Sequence, residues 1–291
     1  MGEDIKAQRR ILIVQDVSGV GRCAAMVALP VLSLAGFYTA LLPTALLSAH
    51  TGGFGAVHRR DLTDDMRETL RHWKRIDLRF DAVHLGYVGH PDQLDLLTQS
   101  LDGLMNPGAR LYVDPVMGDG GRRYAFCGES LVKKFREICA KADLIFPNTT
   151  EAAMLLGEPL TEGINPPAPS PGRLLALGAR AAIITGVFNG DDHIGVLAKK
   201  SGEAAYSTFR RRYPGAYPGT GDLLASCVIG ALYRGASLDQ ACETACDFLD
   251  QSLRYVSLLQ SEPRHGLPFE LALPGLLRAF EGIGPISRQD P

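Results

Sequence analysis

Short apolar runs alternate with amphipathic stretches along nearly the whole chain. Ile11-Leu12-Ile13-Val14 has no polar position, the pattern of a strand covered on both faces of a parallel sheet. Residues 22–34 read as a helix ending at Gly36, and residues 37–42 as a second strand. Residues 62–73 carry helical spacing, with Asp61 or Thr63 near the cap. Strands at 82–87, 110–113 and 144–146 then alternate with helices at 92–104, 131–140 and 151–156. Beyond a proline-rich loop at 166–171, a helix leads into a strand at 181–185. Asn189-Gly190 between apolar segments is a hairpin signal and predicts antiparallel strands around 194–197. Two long helices, 221–233 and 238–258, close the series. The βαβ order predicts one α/β domain over 1–291: a doubly wound, mostly parallel sheet with antiparallel edge strands and helices on both faces. Ligands in such sheets bind at the carboxyl ends of the strands, where Asp16, Tyr87, Asp114, Asn148 and Thr185 fall.

Composition narrows the classes. The 291 residues are 46% hydrophobic and 21% charged with a formal net charge of −2, and no linker or charge block divides them. Nothing forms the basic stripe of a nucleic-acid binder; the run Arg210-Arg211-Arg212 reads as a solvated loop. The opening six residues lack the apolar core of a signal peptide, and Lys6 stands where a myristoylation pattern needs Ser or Thr. The longest apolar stretch, 24–47, is broken by Pro30, Gly36 and Pro43, so no membrane segment is expected. The six cysteines form no CxxC pair; Cys242 and Cys246 lie one helical turn apart with no further ligand nearby and read as core residues. A reducing cytoplasm is the expected compartment.

The chemistry concentrates at Gly219-Thr220-Gly221-Asp222, which runs directly into a buried-helix sequence. A glycine turn at a helix N-terminus presents unpaired N–H donors and the positive end of the helix dipole to an anion. Asp222 adds a carboxylate able to take a proton from an attacking hydroxyl, so cradle and base together suit phosphoryl transfer to an alcohol. Taken alone, the motif equally fits an N-cap aspartate. Asp114-Pro115-Val116-Met117-Gly118-Asp119 supplies two carboxylates after the fourth strand, oxygen ligands suited to Mg²⁺ or a monovalent cation. Asn148 and Glu151 offer a similar pair after the fifth.

In that order these motifs resemble the ribokinase superfamily and, within it, the vitamin B6 (pyridoxal) kinases. The likeness runs from Gln15 to about Leu258: Gln15-Asp16 with Ser18-Gly19-Val20-Gly21, His50-Thr51-Gly52, Gly86-Tyr87, the Asp114–Asp119 motif and the Gly219–Asp222 turn. The resemblance implies a ribokinase-like fold and an ATP-dependent kinase acting on the 5′-hydroxymethyl of a B6 vitamer, as a homodimer. It makes Asp222 the base and the N–H groups of Gly219, Thr220 and Gly221 the anion hole. Asp114, Asp119 and Glu151 would hold Mg²⁺ and a monovalent cation such as K⁺. Asn148, Thr185 and Thr220 would contact ATP phosphates, Tyr124 would lie in a flap over the nucleotide, and Asp16, His50, Thr51 and Tyr87 would line the pyridine pocket.

Three departures qualify this. Asp16 stands where pyridoxal kinases commonly have Ser, and Asp16-Val17-Ser18-Gly19 resembles the hydroxymethylpyrimidine kinases, a sister branch that usually has Cys at the position of Asp222. Phe146 and Ala49 replace a small hydroxyl residue and an Asn. An anionic Asp16 would favour a vitamer with a cationic 4′-aminomethyl group; the alternative is that Asp16 caps the following helix. A non-catalytic B6-binding protein is a third reading, against which stand Asp222, Asp114 and Asp119 together. A sugar kinase is disfavoured by the Asp114–Asp119 motif and the short segment between the first two strands. Gly19-Val20-Gly21 lacks the third glycine of a dinucleotide fingerprint, and no Walker lysine is present. His84, inside an apolar strand, reads as a hydrogen-bonded core residue.

Overall fold

The computed structural model describes residues 8–163 and 167–284. The opening hexapeptide and Pro166, at the start of the expected proline-rich loop, lie outside the described residues. The chain runs β1 (Arg10–Ser18), α1 (Ala25–Ala35), β2 (Tyr38–Leu47), β3 (Arg59–Asp61), α2 (Thr63–Arg75), β4 (Phe80–Leu85), α3 (Pro91–Leu104) and β5 (Met105–Val113). There follow a small hairpin of β6 (Gly118–Asp119) and β7 (Arg122–Arg123), α4 (Glu129–Cys139), β8 (Leu144–Ile145), α5 (Thr149–Leu156) and α6 (Pro171–Leu175). The C-terminal part holds β9 (Ala181–Asn189), β10 (His193–Lys200), β11 (Tyr206–Arg211), α7 (Thr220–Tyr233), α8 (Leu238–Leu259) and α9 (Leu273–Ile283).

Nine strands form one sheet in the order β11-β10-β9-β8-β5-β4-β1-β2-β3. The six strands from β9 to β2 are parallel; β3 pairs antiparallel with β2 at one edge, and at the other β10 pairs antiparallel with both β9 and β11. The doubly wound expectation is therefore met, and the Asn189-Gly190 hairpin joins β9 to β10 with His193 opposite Asn189. Alternation along β1 sorts the core: Ile11 and Ile13 pack with α1, α7, α8 and α9, while Leu12 and Val14 pack with α2, α3, α4 and α5 on the opposite face. Each of these four side chains is fully buried, which is why the strand carries no polar position.

β2 lies on one side of β1 and β4 on the other, so the connections diverge between β1 and β4. That divergence opens a crevice beyond the carboxyl ends of those strands, where ligands bind in open α/β sheets.

Several boundaries move for physical reasons. α1 starts at Ala25 rather than residue 22, because residues 19–24 form a turn whose last N–H is used elsewhere in the molecule. The arginine run is no free loop: Arg210 lies in β11 and pairs with Glu243 and Asp247 of α8, and the Arg212 guanidinium lies 5.1 Å from the Phe188 ring centre. His84 is fully buried as expected, but neither ring nitrogen has a hydrogen-bond partner among the described residues. Burial alone lowers its pKa to about 4.

Candidate active site

α7 enters the crevice with its N-terminus foremost. Its first residues follow Gly219, whose φ of 83° is left-handed, and a Cβ there would lie 1.9 Å from the Arg22 carbonyl oxygen. Only glycine fits that turn. Among the described residues no side chain caps the helix, which leaves its first N–H groups to meet an anion. Asp222 sits in the first turn without acting as an N-cap. Its Oδ2 accepts a 2.8 Å hydrogen bond from the Ala24 N–H, and its Oδ1 faces the Gln15 Nε2 at 3.5 Å. Burial raises its pKa to about 7, opposed by the Ala24 hydrogen bond.

On the β1 and β2 side, Asp16 is 5% exposed and its Oδ2 accepts from the Ser18 hydroxyl at 3.0 Å, so it does not cap α1. Burial is the largest influence on Asp16 and raises its pKa. His50 is buried with both ring nitrogens engaged: Nδ1 accepts from the Gly52 N–H at 2.9 Å, and Nε2 donates to the Arg264 carbonyl. The ring therefore offers its face and edge, and ties the exposed Thr51 loop to the turn at Arg264. Tyr87 follows β4, with its carbonyl held by the Thr44 hydroxyl at 2.8 Å and its ring 4.9 Å from that of Phe126.

On the other side, Asp114 follows β5 and is 7% exposed. Burial, then the charges of Glu151 and Asp222, raise its pKa well above the ordinary carboxylate range. Asp114 Oδ2 lies within 3.9 Å of where a Cβ on Gly221 would stand, so the acid and the glycine turn face each other. Glu151 is buried, and its two oxygens accept from the Met117 and Asn148 N–H groups. Asn148 completes a capping box: its Oδ1 accepts from the Glu151 N–H, and its Nδ2 donates to the Gly118 carbonyl. These two side chains thus fasten the β6–β7 hairpin, which carries the exposed Asp119, to the start of α5. Thr185 pairs with Asn148 in an isolated parallel bridge. Tyr124 follows the hairpin and stacks on Phe126 at 5.8 Å, which links it to Tyr87. Among the described residues, no three His, Cys, Asp or Glu side chains converge to cage a metal unaided.

Three side chains at this site escape sequence reasoning. Arg59 places its guanidinium 5.9 Å from the Tyr87 ring centre, but it lies on β3, whose sequence of Arg59, Arg60 and Asp61 has no apolar alternation. Phe126 looks like any loop aromatic until the fold sets it between Tyr87 and Tyr124. The Cys23 thiol is raised to about 12, chiefly by burial and then by Asp222 and Asp16, so it lies beside the base as a neutral thiol.

A family model described as phosphomethylpyrimidine kinase matches residues 28–266. A pyridoxal kinase of Arabidopsis thaliana is 30% identical over 262 residues, covering 84% of this chain and 81% of that protein. A chloroplastic thiamine biosynthetic bifunctional enzyme from the same plant is 27% identical over 87% of this chain, which spans about half (48%) of its length. Among solved structures, pyridoxal kinase from Lactobacillus plantarum superimposes with a TM-score of 0.86 at 33% identity, covering 96% of this chain and 100% of that one. A protein of Bacteroides thetaiotaomicron described as a phosphomethylpyrimidine kinase, in a crystal form with pyridoxal, gives 0.87 at 34% identity over 93% and 96% of the two chains.

Proposed function

Because the chain belongs to the phosphomethylpyrimidine kinase family, we propose that it transfers the γ-phosphate of ATP to the 5′-hydroxymethyl of a B6 vitamer. The observation that carries this reading is the Asp222 carboxylate in the first turn of α7, between Asp114 on one side and Asp16 on the other. As the hydroxymethyl oxygen bonds to the γ-phosphorus and the bond to ADP breaks, the hydroxyl proton passes to Asp222. A pKa near 7 suits a general base at neutral pH. The N–H groups of Gly219, Thr220 and Gly221 and the dipole of α7 offset the charge on the moving phosphoryl group.

The acid cluster fits a divalent cation: Asp114 is buried, and the charges of Glu151 and Asp222 raise its affinity for protons, a repulsion that a cation would relieve. Mg²⁺ binds through one or two carboxylates plus phosphate and water rather than a full protein cage. Asp114, with Asp119 on the hairpin, would hold it, and Mg²⁺ would neutralise charge on the nucleotide phosphates. Glu151 and Asn148 then serve chiefly to fix the hairpin. A K⁺ role, a homodimer and a cytoplasmic setting rest on the family likeness and on six free cysteines. Nine strands of the described residues form one continuous sheet, which supports a single kinase domain, and none of their helices is long and apolar enough to cross a membrane.

The family description favours a second reading, a hydroxymethylpyrimidine as acceptor. The test is ADP release with Mg-ATP and each of pyridoxal, pyridoxine, pyridoxamine and hydroxymethylpyrimidine. Turnover fastest on a B6 vitamer supports the proposal. Turnover on the pyrimidine alone moves the assignment to the sister activity, and ATP-independent binding of a vitamer leaves a binding protein.

A further inference from the structure

We propose that Gln15 is the positioning residue for the base, its amide and the Ala24 N–H holding the Asp222 carboxylate from opposite sides. The inference rests on the reading of Asp222 as the base. Gln15 lies on β1 and is fully buried, with Nε2 3.5 Å from Asp222 Oδ1. Its Oε1 has no hydrogen-bond partner among the described residues. A methionine or leucine would fill the same space without burying an unpaired acceptor, so packing alone gives no reason for an amide here. The fold also makes room for it. A Cβ on Gly86, at the end of β4, would lie 2.4 Å from Gln15 Nε2 and 2.7 Å from its Cγ.

The second donor is also held at local expense. Ala24 has φ 47° and ψ −131°, a conformation that L-residues rarely adopt, and it is in this conformation that its N–H points to Asp222 Oδ2 at 2.8 Å. Strand β1 and the turn that follows it, 207 and 198 residues from Asp222, thus each accept an unfavourable feature and deliver a donor to the same carboxylate. One donor per oxygen fixes the plane of the carboxyl group as well as its position. A base must lie in line with the hydroxyl it deprotonates, and a small misplacement of a reacting group costs rate steeply. The 3.5 Å separation is long, as such contacts often are before substrate binds.

The test is a double-mutant cycle of Gln15→Met and Asp222→Asn with Mg-ATP and the best acceptor. Gln15→Met is expected to lower kcat by roughly 10- to 100-fold, with KM for ATP within about twofold and an unfolding midpoint no lower than the parent's. Added to Asp222→Asn, it should cost less than about twofold, because its effect passes through the carboxylate. Equal losses in both backgrounds, or a rise in KM for ATP that accounts for the loss, would overturn the proposal. A crystal structure of Gln15→Met decides the point independently of turnover. An Asp222 carboxyl rotated off the Ala24 N–H supports it, and an unmoved carboxyl refutes it. If the parent protein phosphorylates no acceptor, the kinase reading fails while this structural outcome still stands.

Discussion

Asp222→Asn is expected to make the protein more stable while nearly abolishing its activity. Burial moves the Asp222 pKa from 3.8 to about 7 in the folded state. The folded protein therefore binds this proton more tightly than the unfolded chain does. The sign follows: the destabilisation is absent below pH 4, grows as pH rises from about 4 to 7, and is constant above 7. A shift of roughly three units corresponds to about 4 kcal/mol. Solvent reaches this half-buried residue, so ~2–3 kcal/mol is the better expectation above pH 7. Asparagine keeps an oxygen for the Ala24 N–H, and its amide would meet Gln15, whose unpaired Oε1 can turn to accept. Urea unfolding of parent and variant at pH 5, 6, 7 and 8, read with steady-state kinetics, measures both effects. The variant's advantage should climb with pH and then level off, while kcat falls by roughly 10²–10⁴-fold. A stability difference that is flat from pH 5 to 8 would show that the carboxyl is not held in a charge-disfavouring site. A variant as active as its parent would remove Asp222 from the chemistry.

Gly219→Ala places a Cβ 1.9 Å from the Arg22 carbonyl in a left-handed turn; thermal melts should show a loss of at least ~2 kcal/mol, and kcat should fall with the displaced anion hole. His84 is neutral in the fold with its pKa lowered to about 4, so it supplies stability that is complete above pH 6.5 and drains away as pH falls toward 4, amounting to roughly 3 kcal/mol. His84→Leu should flatten that slope in urea titrations at pH 4.5 and 7, and an unchanged slope would mean the imidazole is hydrated or paired. Asp16→Asn should reduce the ratio of kcat/KM for pyridoxamine over pyridoxal by roughly tenfold if Asp16 faces a cationic 4′ substituent; an unaltered ratio rejects that pairing.

The fold was legible where burial imposes a repeating pattern. β1, β4 and β9 declare themselves because both faces of the sheet are covered, and α7 because nearly every residue after Asp222 is buried. β3 was invisible, since an exposed three-residue edge strand has no face to hide and so no alternation. Asp16 and Thr185 lie inside β1 and β9, which run on beyond the expected ends, whereas Tyr87, Asp114 and Asn148, just past the ends of β4, β5 and β8, could be placed from strand order alone. What those side chains do there could not. Asn148 and Glu151 look like free ligands in the sequence, yet the capping box commits them to backbone groups. His50 likewise spends both nitrogens on loops separated from it by up to 214 residues. Local sequence shows which residues carry reactive atoms; only tertiary contacts show which atoms are already taken.

That distinction also explains the charge of the site. Asp16, Asp114, Glu151 and Asp222 are gathered in one crevice of a chain whose net charge is only −2. The charges acting most on Asp114 are two more carboxylates, and the principal influence on all four acids is burial. Such an arrangement works against stability unless ligands complete it. The two halves of the crevice invite different cations. Asp114 faces the anion cradle of α7, where a metal would offset the charge of nucleotide phosphates, and Asp16 lies toward the aromatic side of the pocket, near Tyr87. Asp222 lies between them, held by donors from β1 and from the turn that follows it. A protein that only stored a pyridine would need neither the glycine turn nor that intermediate carboxylate, and a protein that only bound nucleotide would need neither Asp16 nor Tyr87. The crevice makes physical sense when an acceptor and a phosphoryl donor occupy it together.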